Sequence, residues 1–207
     1  MTKEQAQPPS RTGLDTDAVV RAALELLDEK GADAVSVRGT AERLGVRMNT
    51  VLWHAKTKAR LLELMADAIV AEVPLDRLPT AWDERVAELA LRYRRALLAH
   101  RDGAALVTGT YAAEPATLRF AEVMVGALLE GGLPEREAAW ACWTVLHFVL
   151  GLTQEEQALP AADGDRFERA LDAGAYPSLV RVAPHLSDAS FDDRFDYGIT
   201  RVLQSLR

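Results

Sequence analysis

The 207-residue chain has a single cysteine, Cys142. It can form no internal disulfide, so nothing in it requires an oxidising compartment. A lone thiol in an apolar run suits a small core residue better than a nucleophile. No apolar signal segment follows the polar start, and the protein is expected to be cytoplasmic. The longest uncharged run, Ala138 to Gln154, contains His147. It falls short of the ~20 apolar residues that a membrane helix needs, so it reads as a buried helix and no membrane partner is expected. Aromatic residues are only 6% of the chain. Strand-like alternation of useful length, internal repeats and low-complexity tracts are all lacking. His, Cys and carboxylates do not cluster at ligand spacing, so no metal site or cofactor is expected. No general base is paired with a nucleophile, so no catalytic residues are assigned.

What is abundant is Ala and Leu at helical spacing. Apolar residues make up 49% of the chain, and the pattern predicts an all-α fold. Asp15 or Thr16 caps a first helix, with Val20, Ala23, Leu24 and Leu27 on its inner stripe and Gly31 at its end. Ser36 caps a second helix through Leu44, and Gly45 supplies a sharp turn. A third helix runs from Met48 to about His54. Thr57 caps a fourth, which reaches about Val73 before Pro74 and Pro79 bracket a linker. Further helices are predicted at about 82–99, just after Asp102, and at 115–130, 134–158, 166–171 and 191–206. A loop spans 160–164, and 176–190 reads as mostly irregular because it carries Pro177 and Pro184. The chain thus divides into a disordered tail over 1–13, a three-helix unit over 14–60, a connecting helix over 61–74 and a larger helical domain over 75–207.

Two short helices joined through a glycine turn form a helix-turn-helix, whose second helix fits a DNA major groove. Ala41, Leu44, Val46, Val51 and Ala55 face inward together. That leaves Arg47, Met48, Asn49, Thr50, Leu52, Trp53 and His54 largely outside. Between Ser36 and Arg60 the bases are Arg38, Arg43, Arg47, Lys56, Lys58 and Arg60, against Glu42 alone. Six minus one gives +5 in a chain whose net charge is −7. Such a stretch is an address for phosphate; a solvated loop face is the alternative. Asn49 can pair with an adenine edge and Arg47 with guanine, while Met48, Leu52 and the Thr50 methyl suit thymine methyl groups. Trp53 suits either the outer face or packing inside the unit.

Leu44-Gly45-Val46, followed by Thr50-Val51-Leu52-Trp53-His54-Ala55-Lys56-Thr57-Lys58, resembles the DNA-binding signature of the TetR family of transcriptional regulators. The likeness continues through Leu97-Leu98-Ala99-His100-Arg101-Asp102-Gly103-Ala104, Gly109-Thr110 and His147-Phe148-x-x-Gly151 with Glu155 and Gln157. These are similar to the ligand-binding core of the family's tetracycline repressor branch. The resemblance implies that Arg38 contacts a base or phosphate, that Trp53 and His54 sit near the DNA backbone, and that Lys58 lies against a phosphate. It implies a homodimer on a palindromic operator in double-stranded DNA, released by a small-molecule effector. It also implies an intersubunit four-helix bundle. The candidates here are the helix with Trp140, Trp143, Val145 and Phe148 and the last helix with Phe191, Phe195, Ile199, Val202 and Leu206. Both could instead fill the core of one subunit. Thr40 departs from the pattern, which has a larger apolar residue there; with Gly39 it predicts a softened second helix.

At the effector pocket the resemblance is uneven. Thr110, His147 and Glu155 match positions around the drug and its magnesium ion. Val107 stands where the family has a metal-binding histidine, and Leu89 where an asparagine grips the drug. Val123 replaces a glutamine, Pro74 a histidine, Tyr93 a phenylalanine and Tyr111 an arginine. Val107 offers Mg²⁺ nothing. Walls of Leu89, Val107 and Val123, with Tyr93, Thr110, Tyr111 and His147 as polar points, suit a mostly apolar or aromatic effector that needs no metal. His147 fits equally well as a satisfied core histidine. The competing reading is a small all-helical ligand-binding protein or enzyme without DNA binding, built on His147, Glu155 and Cys142.

Overall fold

In a computed structural model, residues 14–110, 113–158, 169–171, 174–186 and 190–207 are described. The expected tail over 1–13, the loop over 160–164, the first half of the short helix at 166–171 and Tyr111 lie outside them. All regular structure among the described residues is helical.

The first helices begin and end where local chemistry requires. Helix α1 (Thr16–Lys30) starts where the Ala18 N–H donates to the Asp15 carboxylate at 2.7 Å, and it stops at Gly31, whose φ is 82°. A 3₁₀ turn (Ala32–Ala34) leads to α2 (Val37–Leu44), where the Ser36 hydroxyl accepts from the Gly39 N–H at 3.0 Å. Gly45 closes α2 in the left-handed region at φ 64°, a conformation that costs a residue without Cβ nothing. Helix α3 (Met48–Ala55) follows, and Thr57 caps α4 (Lys58–Ala71).

Thr40 and Gly39 both lie inside the span of α2. Thr40 is fully buried, and its hydroxyl donates to the Ser36 carbonyl at 2.9 Å, so no polar group is stranded. A Cβ on Gly39 would lie 3.0 Å from Leu26 Cδ2. The glycine therefore lets α1 and α2 approach closely.

The larger part comprises α5 (Trp82–Leu98), α6 (Gly103–Thr108), α7 (Pro115–Glu130), α8 (Glu135–Ala158), α9 (Pro177–Leu186) and α10 (Phe191–Ser205). Helix α9 corrects the irregular segment expected there. Pro177 occupies the first helical position, where its missing N–H costs nothing, and Pro184 falls late in the helix. No residue of α9 is buried.

One continuous core joins the two parts. Leu61, Met65 and Ile69 on α4 are completely buried, as are Val51 and Ala55 of the head and Leu89, Met124 and Val149 of the body. Helix α4 thus belongs to both parts, packing against α1 and α3 on one side and α5, α6 and α7 on the other. Polar contacts fasten the C-terminal end of α1 to the α5–α6 turn. The Ala32 N–H donates to Asp102 at 2.8 Å, and the Arg101 N–H donates to Asp28 at 3.1 Å. The His100 ring bridges Asp28 and Glu72, each at 3.1 Å.

Candidate nucleic-acid interface and effector site

Helix α3 turns its two apolar anchors, Val51 and Ala55, inward and leaves Arg47, Met48 and Asn49 exposed. Thr50 and Leu52 are half-buried at the edge of that face. Trp53 is 74% exposed, so it belongs to the outer face and not to the packing of the three helices; the Lys56 ammonium lies 4.9 Å from its ring centroid. His54 is half-buried, with Nδ1 3.2 Å from the Thr16 hydroxyl, and it ties α3 to α1. Lys56 has φ 63° and ψ −50°, and the Thr57 N–H donates to the Ala55 carbonyl at 2.7 Å across it. This three-residue turn is strained for a non-glycine residue. It places the exposed Lys58 at the start of α4.

Half of the bases counted in the sequence are already matched by acids. Arg43 reaches Glu25 at 2.8 Å and Glu29 at 2.7 Å, both on α1. These contacts hold the Arg43 guanidinium above its ordinary range, first through Glu29 and then through Glu25. The Glu29 carboxyl is held below its usual range, chiefly by its hydrogen bond with Arg43. Arg60 contacts Glu63 at 3.0 Å and takes both oxygens of Glu114. Arg38 is paired with Glu42 at 2.8 Å on the open surface, a contact that phosphate can displace. Among the described residues only Arg47, Lys56 and Lys58 of the six have no carboxylate partner. The acids that match Arg43 and Arg60 come from outside the basic stretch, so the local count overstates the free charge.

The predicted effector residues do not all meet. Leu89 is fully buried, and Tyr93, one turn later on α5, is 4% exposed. The Tyr93 ring stacks on Phe120 with centroids 5.0 Å apart, and burial pushes its hydroxyl pKa up. Val107 and Val123 are half-buried against the core, and the Thr110 hydroxyl donates to the Val107 carbonyl at 3.0 Å. His147 is exposed in the single subunit, which corrects the reading of it as a core histidine. Val145 and Val149 point inward at helical spacing, so the residue between them faces out. His147 stacks on Trp143 at 5.4 Å, and Trp140 continues the same outward stripe of α8.

The residues expected to form the subunit interface divide in the same way. Trp140 and Trp143 are exposed, whereas Val145, Phe195 and Ile199 are buried within one subunit; Phe148, Phe191, Val202 and Leu206 are half-buried. Cys142 faces inward and burial pushes its thiol up to about 11, while Glu155 is exposed like His147. The three residues of the alternative enzyme reading are therefore not assembled. Among the described residues no cluster of three His, Cys, Asp or Glu is placed to hold a metal, and no helix is long and apolar enough to cross a membrane.

Two organising side chains carried no role in the sequence reading. The buried Arg94 on α5 donates to Asp192 at 2.6 Å and Glu156 at 2.8 Å, drawing α10 and α8 together. Gln157 donates to the carbonyls of Leu97 and His100 and accepts from the Ala104 N–H. It bridges the end of α5 to the start of α6. Its place in the quoted motif was the available signal; Arg94 had none, since its partners lie 62 and 98 positions away.

Comparison with known proteins agrees with this arrangement. Residues 19–65 match the family described as bacterial regulatory proteins, tetR family, and residues 74–207 match the tetracyclin repressor-like C-terminal domain. The class A tetracycline repressor of Escherichia coli transposon 1721 is 34% identical over 198 residues, covering 94% of this chain and 91% of that protein. The structure of Streptomyces coelicolor ActR in complex with actinorhodin has a TM-score of 0.85 at 28% identity, covering 94% of this chain and 96% of that one. A TetR variant of Acinetobacter baumannii AYE in complex with minocycline has a TM-score of 0.72 at 32% identity, covering 93% and 96%. With both of its parts matched and the helix-turn-helix in place, this chain belongs to the TetR family of ligand-responsive, DNA-binding transcriptional regulators.

Proposed function

We propose that the protein is a homodimeric repressor released from its operator by a hydroxylated, mostly aromatic molecule that binds without a metal ion. Two α3 helices, one from each subunit, enter major grooves about 34–36 Å apart. Arg47 and Asn49 read bases, Met48, Leu52 and Thr50 contact thymine methyl groups, and Arg38, Trp53, His54 and Lys58 serve the backbone. The outward stripe of Trp140, Trp143 and His147 on α8 supports a second subunit packing there.

Tyr93 carries the effector class. Its ring is held against Phe120, and among the described residues its hydroxyl has no hydrogen-bond partner. An unused phenol one turn from the apolar Leu89 asks for a flat ligand with a single matching polar group. Val107 gives a divalent ion no ligand. The neighbour that holds actinorhodin is nearer in fold than the one that holds minocycline, which favours the same class. Release requires a ligand that prefers the DNA-free form; moving the balance from 1:99 to 99:1 takes about 5.5 kcal/mol of differential binding.

The test uses a duplex selected by the protein from a random-sequence pool, followed by fluorescence anisotropy. Actinorhodin is expected to release the duplex in EDTA, and Tyr93→Phe is expected to need about tenfold more of it, the loss of one buried hydrogen bond. Release by minocycline with Mg²⁺ and not by actinorhodin would overturn the effector class.

A further inference from the structure

The start of α7 is joined to α4 in an unusual way. Glu114 occupies the N-cap position of α7 with extended backbone, yet its side chain caps nothing there. Both of its oxygens go instead to the Arg60 guanidinium in the first turn of α4. The cap that α7 needs comes from α4. The Asp67 carboxylate accepts from the Thr117 N–H at 2.7 Å, the Thr117 hydroxyl at 2.8 Å and the Ala116 N–H at 3.3 Å. Opening this contact would leave the first N–H groups of a helix without partners.

Arg60 and Asp67 are seven residues apart, two turns along one face of α4, or about 10 Å. Two anchors at that spacing fix both the position and the rotation of the helix. Arg60 lies three residues after the Thr57 cap, and α3 ends at Ala55. On the other side, Glu114 lies four residues after Thr110, which bonds the last turn of α6.

We propose that Arg60–Glu114 and Asp67–Thr117 act as one clasp through which the start of α7 sets the position of the recognition helix. Its members are positioning residues: they act on α3 through α4 and touch no DNA. Arg60 is thereby removed from the phosphate-facing set and becomes the site where the body grips the head. Disturbance of the start of α7 reaches α3 by way of Arg60 and Asp67 on α4. This rests on the reading of the protein as an effector-released DNA-binding regulator.

The test takes Glu114→Gln, Arg60→Gln and the charge-exchanged pair R60E/E114R in the full chain. Each single variant is expected to bind the selected duplex about three- to tenfold more weakly, because α3 is no longer held in place before binding. The exchanged pair is expected to return to within about twofold of the parent, as coupled neighbours do when their contact is rebuilt. Parent-like binding by E114Q overturns the clasp. So does an exchanged pair as weak as R60Q, since that result makes Arg60 a direct phosphate contact. Amide hydrogen exchange supplies a readout free of DNA and effector. Exchange over α3 and the first turns of α4 is expected to quicken in E114Q and to recover in R60E/E114R, with Glu130→Gln, which breaks an exposed pair with Arg85, leaving it unchanged. If the parent selects no duplex, the regulatory reading fails, and unchanged exchange in E114Q then overturns the clasp separately.

Discussion

The head, α1 to α3, and the body, α5 to α10, are held together by contacts of different range. In the head the boundaries come from residues beside them: Asp15 and Ser36 cap, Gly31 and Gly45 stop, and Thr40 bonds back one turn. Its longest polar tie, Thr16 to His54, spans 38 positions. In the body the decisive polar contacts join distant segments, as Arg94 does with Asp192 and Gln157 with Leu97. The head is a reading device of nearly fixed pattern, and short-range rules suffice for it. The body must enclose a ligand, and its shape is set by side chains that meet only after the chain has folded.

Helix α4 crosses this divide, and cutting its core contact gives the largest effect. Leu61 is fully buried where head and body share apolar surface. Leu61→Ala is expected to cost about 3 kcal/mol, from lost burial and the cavity left behind. Because the core is continuous, urea unfolding should remain one transition by both tryptophan fluorescence and far-UV circular dichroism. Two separated transitions would show that the head is an independent unit and that the comparison is between two domains in the thermodynamic sense as well.

A smaller effect separates bases that are free from bases that are spent. Lys58→Ala is expected to reduce the slope of log affinity against log salt by about 1, the signature of one lost phosphate contact. Arg43→Ala should leave that slope unchanged, because its guanidinium is occupied by Glu25 and Glu29. Equal changes in slope would mean that the acids of α1 yield Arg43 to DNA on binding.

The head was almost fully legible in the sequence, and the reason is physical. Helix starts, glycine turns and inward spacing are encoded within a few residues, so α1 to α4 fall at their expected positions and Asn49 and Arg47 face outward as expected. What the head concealed was its ion pairing, because Glu25, Glu29 and Glu114 lie outside the stretch whose charges were summed. In the body most of the helices were legible, and the contacts between them were not. On α8 the inward-pointing Val145 and Val149 put His147 on the opposite, outer side; the motif match had drawn that histidine toward the pocket. Leu89 and Tyr93, expected as lining of an effector pocket, are buried in the core, and Tyr93 stacking on Phe120 required the fold. Helix α9 was missed because its two prolines were read as breakers, although one stands at a helix start.

The smallest effect compares the same kind of contact in three places. Glu29 pairs with Arg43 inside the head, Glu114 with Arg60 across the junction, and Asp83 with Arg207 inside the body. Each carboxyl is held below its ordinary value first by the hydrogen bond from its arginine. A depressed folded-state pKa means that the folded protein binds the proton less readily than the unfolded chain does. The resulting stabilisation is fully present above the unfolded values of 4.5 for Glu29 and Glu114 and 3.8 for Asp83, and it is lost as pH falls through the lower folded values. Urea midpoints measured from pH 6 down to about pH 3 should therefore fall less steeply in Arg43→Ala, Arg60→Ala and Arg207→Ala than in the parent. Solvent screening keeps each difference small. If head and body unfold together, all three variants flatten the same single transition. If Arg43→Ala flattens one transition and Arg207→Ala another, the shared core of α4 does not couple them, and only the Arg60 variant should then affect both.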